Sequence, residues 1–183
     1  YFTRVDGGTL RLTGGSYTSN ITVGEDGVFE DTTANGALGA ESTLTLFAGH
    51  ASIVKDTIVQ IDGDGTLDVG DTLTTTRGNF SGVISGGALR VAIEDAIDDT
   101  LTLSGANTYV NATTLEQGRL VLTGSLQSAH VSLDEDSYFS DVNGGLAATA
   151  QLSNNGGQVV LGADETIASF YNSGTLDGTG KVL

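Results

Sequence analysis

The 183 residues contain no cysteine, proline, methionine or tryptophan, and only seven lysines and arginines stand against 23 aspartates and glutamates. Without cysteine there is no disulfide framework, no thiolate nucleophile and no cysteine-based metal site. The formal charge of −16 repels phosphate backbones and anionic lipid, which excludes nucleic acid as a partner. No apolar run approaches the ~18 residues of a membrane-spanning helix, so no direct membrane insertion of this segment is expected, and no charged-then-apolar signal opens the chain. With Tyr1 in place of an initiator methionine, the chain reads as one segment of a longer protein. Aromatic anchors are also scarce. Six Phe and five Tyr leave a core to be built mainly from Leu, Val, Ile and Ala in a narrow interior.

What is present is glycine and short alternating runs. The 27 glycines are spread between segments such as Thr9-Leu-Arg-Leu-Thr13, Thr43-Leu-Thr-Leu-Phe47, Thr66-Leu-Asp-Val69 and Thr100-Leu-Thr-Leu103. Each puts an apolar residue at every second position, the period of a strand with one face buried. This steady β periodicity argues against disorder, which so acidic a composition would otherwise suggest. The one stretch with a helical flavour, Arg90 to Asp99, is too short to stand alone and reads as an insertion on a rim.

Comparing the chain with itself extends the argument. Gly8 to Asp31 aligns without a gap to Gly118 to Asp141, an offset of 110, with Gly8/Gly118, Leu10/Leu120, Leu12/Leu122, Phe29/Phe139 and Asp31/Asp141 identical. The match returns at Asp56-Thr-Ile58 with Glu165-Thr-Ile167, and at Gly65-Thr-Leu-Asp68 with Gly174-Thr-Leu-Asp177, now at an offset of 109. Residues 8–67 therefore resemble 118–176, a period too long for one solenoid turn and suited to several rungs repeated together. The whole chain, 1–183, is expected to form a single all-β domain, a parallel β-solenoid of roughly seven to nine turns and a rod of about 35 to 45 Å.

Ser81-Gly-Val-Ile-Ser-Gly-Gly87, followed by Thr100-Leu-Thr-Leu-Ser-Gly-Ala-Asn-Thr-Tyr109 and Thr113-Thr114, resembles the autotransporter-associated β-strand repeat of Gram-negative surface passengers. The resemblance covers about forty residues. Val110-Asn111-Ala112 stands where that family has a glycine pair, and Arg90 to Asp99 replaces its short Lys-x-Gly-x-Gly connector. The resemblance implies a right-handed parallel β-helix (β-solenoid), exported to the extracellular side and displayed on or released from the cell surface. It implies no catalytic residues.

Candidate sites are few. His50 and His130 fit solvent-facing positions, and the chain has no nucleophile elbow and no cofactor motif, so no catalytic residue, cofactor or metal is expected. Asp62-Gly-Asp-Gly65 places oxygens that calcium favours. It lacks both known loop patterns for that ion and reads as a structural turn. The strongest candidate for a partner contact is the acidic insertion, with Glu94, Asp95, Asp98 and Asp99 facing water and Val91, Ile93 and Ile97 pinning its base. These readings point to a non-catalytic, adhesive rod segment of an autotransporter-like passenger, with a host or neighbouring-cell surface protein or glycan as partner. A self-associating fibre or cell-aggregation module is one alternative, and a polysaccharide-active β-helix is another.

Overall fold

The computed structural model describes residues 1–15, 17–92 and 99–178. Every regular element in them is a strand, and the described residues contain no helix. In order these are β1 (Phe2–Leu12), β2 (Asn20–Asp31), β3 (Thr43–Leu46), β4 (His50–Gly63), β5 (Thr66–Phe80), β6 (Val83–Val91), β7 (Thr100–Leu103), β8 (Ala106–Asn107) and β9 (Thr113–Leu115). There follow β10 (Gly118–Leu122), β11 (Ser125–Leu126), β12 (His130–Leu133), β13 (Ser137–Asp141), β14 (Gln151–Asn154), β15 (Gln158–Leu161), β16 (Ser169–Asn172) and β17 (Thr175–Asp177). The strands pair in parallel and stack as a β-solenoid of about nine turns.

Three ladders form the faces of the rod, visited by the chain in the order A, B, C. On face A, Val5, Val23, Leu46, Gly63, Phe80, Leu103, Leu122, Asp141 and Leu161 are successive partners. Face B runs through Leu10, Phe29, Ala51, Leu67 and Ile84. It continues at Asn107, which accepts the Ile84 N–H through Oδ1 at 3.2 Å, and passes to Leu126 and Leu146. Face C carries Asp56, Leu73, Leu89, Thr113, Val131, Leu152 and Phe170. With strands ~4.8 Å apart, nine turns make a rod of about 43 Å.

Alternation does what the sequence leads one to expect. In β12, for example, Val131 and Leu133 are buried while His130 is exposed and Ser132 half-exposed. A single apolar cluster runs from Val5 to Leu161, because each coil is too thin to bury its own inward residues and is closed only by its neighbours.

Several expectations need correcting in detail. Strand β1 begins at Phe2, not Thr9. Strands β4 and β5 are not short. β4 spans 14 residues and β5 spans 15, and each bends round two corners to serve all three faces. Gly78, at the last corner of β5, has φ +140°, and a Cβ there would lie 1.8 Å from the Ile61 carbonyl oxygen. Only glycine lets adjacent coils approach so closely. Arg90 and Val91, expected within the insertion, instead complete β6 on face C, and Val91 is fully buried.

The self-matching segments occupy different faces. Gly8 to Leu12 lies on face B, whereas its counterpart Gly118 to Leu122 lies on face A. Asn20 to Val23 on face A corresponds to His130 to Leu133 on face C. From residue 8 the chain returns to face B near 28, 50, 66, 83 and 106, then crosses face C at 113 and reaches face A at 118. The sequence period is therefore five and two-thirds coils, and matching segments are related by a climb along the axis and a turn of one face.

Candidate functional site

The most unusual chemistry lies inside the rod. Period two places Asp31 on the same side of β2 as Phe29, so this carboxylate points inward and is 1% exposed. Its burial is made tolerable by donors from the loop that leaves face B. The Thr33 N–H and hydroxyl donate to Oδ1 at 2.9 and 2.5 Å, and the Ala37 N–H donates to Oδ2 at 2.5 Å. On the next coil Asp56, 2% exposed, accepts the Leu38 N–H through Oδ1 at 3.0 Å. Gly36, at φ +78°, closes the loop over these groups, and a Cβ there would sit 2.3 Å from Asp56 Oδ1.

The donors Ala37 N–H and Leu38 N–H are adjacent in the chain, which brings the two carboxyl groups side by side, and a hydrogen bond between them requires a proton on one of them. Burial, then the hydrogen bond and negative charge of Asp31, push Asp56 up to about 8, against the pull of the Leu38 N–H. For Asp31, burial pushes upward, but the donors from Thr33, Ala37 and Asp56 outweigh it and hold the group below its ordinary value.

The same construction recurs in the other half of the chain. Asp141, fully buried at the end of β13, accepts the N–H groups of Gly144 at 3.0 Å and Gly145 at 2.9 Å. Glu165, 6% exposed, accepts the Leu146 N–H through Oε1 at 3.2 Å. Gly144 has φ +73° and takes the place of Gly36. Burial, then Asp141's hydrogen bond and charge, push Glu165 up to about 7. The first pair sits where the chain turns from face B to face C, and the second where it turns from face A to face B.

The acidic insertion falls largely outside the described residues, which include Asp99 but not Glu94, Asp95 or Asp98, nor Ile93 or Ile97. Asp99 lies 3.4 Å from the Arg77 guanidinium. On the other flank the Arg90 guanidinium makes a two-pronged ion pair with Glu116. In the Asp62-Gly-Asp-Gly65 turn each carboxylate accepts a backbone N–H, Asp62 from Asn79 and Asp64 from Ala48, both at 2.8 Å. His50 Nδ1 lies 2.8 Å from the Thr66 hydroxyl on the outside of face B. On the outside of face A, the Arg119 guanidinium covers the Tyr138 ring at 4.1 Å beside an open groove lined by Gln158 and Thr175. No group of three or more His, Cys, Asp or Glu gathers into a metal site among the described residues.

Sequence reasoning passed over the buried acid pairs, although the signal was available. Asp31/Asp141 and Asp56/Glu165 are acids retained at matched positions, and the first two share the inward phase of Phe29 and Phe139. No protein-family model, curated protein or solved structure matches this chain.

Proposed function

We propose that this chain is a non-catalytic rod segment of a surface-displayed or secreted, autotransporter-like passenger, whose role is to hold or present an adhesive surface at a distance from the cell. The observation that carries this reading is the stack itself. About nine parallel coils share one continuous core, an architecture that adds length coil by coil without altering what lies on either side. The Ser81 to Thr114 resemblance supplies the extracellular, Gram-negative setting, and the partner it suggests is a surface protein or glycan of a host or neighbouring cell. The inward-facing acids support a mechanical role, because each is committed to backbone donors and to its pair partner inside the rod.

The test uses intact cells expressing the parent gene. Externally added protease should remove an epitope placed in this segment, and deleting the segment should reduce adhesion while leaving the rest of the passenger displayed. An epitope protected in intact cells and digested only after lysis would overturn the surface reading. Sedimentation of the purified chain separates the fibre alternative, which needs association despite the −16 charge. Turnover of a polysaccharide would establish the enzymatic alternative.

A further inference from the structure

We infer that each buried acid pair holds one proton between its carboxyl groups, Asp56 with Asp31 and Glu165 with Asp141, and that these two protons fasten the rim loops to the coils as a built-in pH-sensitive lock. The inference concerns the rod itself and stands whether or not the adhesive reading holds.

Three independent features support it. The first is stoichiometric. Asp56 Oδ1 is occupied by the Leu38 N–H, while Oδ2 is buried without an N–H or hydroxyl donor among the described residues. Asp31 already accepts three hydrogen bonds from Thr33 and Ala37. A donor is wanted between the carboxyl groups, and a proton on Asp56 Oδ2 supplies it. The second is surroundings. Asp56 is flanked on face C by Leu73 of the next coil, and the charge bearing on it is that of Asp31. Its neighbour Lys55 turns outward to Asp71 at 3.9 Å, with both side chains more than half exposed. Glu165 is faced by Asp141 and follows Asp164 in the chain, and burial and Asp141 both oppose its ionisation. Among the described residues, no cation figures among the causes that bear on either raised acid. The third is recurrence. The same sequence of acid, positive-φ glycine, donor N–H and second acid appears twice, at different corners of the rod. An accident of local packing would not be copied to a new face.

The direction of the effect follows from linkage. An acid raised in the folded state contributes stability fully present below its unfolded value and lost as pH rises through its folded value. The loss is complete above about 8 for Asp56 and about 7 for Glu165. Asp31, held low, works the opposite way and loses its contribution in acid as pH falls below the ordinary range. The lock is therefore firm in mild acid and released towards alkaline pH, when the proton leaves to solvent and two carboxylates face each other in the interior.

The test measures urea unfolding of the full chain across pH for wild type, Asp56→Asn and Glu165→Gln. Each amide keeps a donor in place of the proton without titrating. Each variant's folding constant relative to wild type should rise about tenfold per pH unit between about pH 5 and the folded value of the replaced acid. A ratio that stays flat overturns the inference. Carboxyl-carbon NMR of the wild type keeps the question open to decision if a variant fails to fold. Two carboxyls titrating near 7 and 8 are expected, and titration of every carboxyl below about 5 would refute the shared protons. Calcium chloride provides the last arm. If millimolar calcium stabilises wild type but not Asp56→Asn at about pH 9, a cation and not a proton occupies the first pair, and the inference fails there.

Discussion

Buried polar side chains in this rod differ in how completely they are satisfied, and that difference sets what their replacement does. Asn107 is fully buried on face B. It accepts from the Ile84 N–H and donates to the carbonyls of Gly105 and Ser125, tying three coils together. Asn107→Ala should lower stability by about 3 kcal/mol, because it strands those backbone groups inside the core. Thr75 is also fully buried, between Ile58 and Val91, but among the described residues its hydroxyl reaches only the Arg77 carbonyl, at 3.5 Å. Thr75→Val exchanges a poorly used hydroxyl for a methyl group, and urea unfolding should show a gain of about 1 kcal/mol. Gly78→Ala forces a Cβ to within 1.8 Å of a carbonyl oxygen at φ +140°. It should cost about 3 kcal/mol or more, measurable by the same titration.

At the scale of elements, the strands that turn corners differ from those that stop at them. β4 and β5 keep pairing through whole coils, whereas from β7 onward the described strands are short and serve one face each, and after β13 face B keeps just the isolated bridge of Leu146 to Leu126. The change comes after the connector that leaves β6, whose flanks carry Arg90 with Glu116 and Arg77 with Asp99. These ion pairs are partly exposed and each contributes at most about 1 kcal/mol. The sequence reading of residues 94–98 as a rim insertion predicts that deleting them shifts stability by no more than about 1 kcal/mol, since shortening a loop alters closure entropy only slightly. Adhesion assays on the same deletion test whether the acids contact a partner. A loss of several kcal/mol would instead show that the connector is part of the core.

Across the whole molecule, a charge of −16 spread along a rod about 43 Å long opposes the compact state through self-repulsion. Raising sodium chloride from about 10 mM to 150 mM shortens the screening length from ~30 to ~8 Å. The midpoint of thermal unfolding should rise with it. A midpoint independent of salt would mean that the outward acids are already compensated by local pairs. The same acidity opposes lateral packing of like rods, so self-association, if sedimentation detects it, should strengthen with salt.

Much of the fold was legible in the sequence because a strand buried on one side writes its phase into every second residue. Leu44 and Leu46, Leu101 and Leu103, and the partly buried Leu10 and Leu12 announce inward positions one by one, and glycines mark where the chain turns. The inward phase of Asp31 and Asp141 was written in the same way. What could not be read was which acid meets which, because Asp31 and Asp56 lie 25 residues apart and meet only when one coil settles on the next. The self-match likewise showed several rungs repeated together but not the face on which the second copy lies, which stacking placed one face round. Alternation is a property of a single strand and is carried by the local chain. Coil length depends on how many residues each corner consumes to bring partners into register. Successive face A partners are separated by 18 residues at Val5 and Val23, by 23 at Val23 and Leu46, and by 17 at Leu46 and Gly63. Only the cooperative pairing of neighbouring coils sets that count, and with it the face on which each residue of this protein comes to lie.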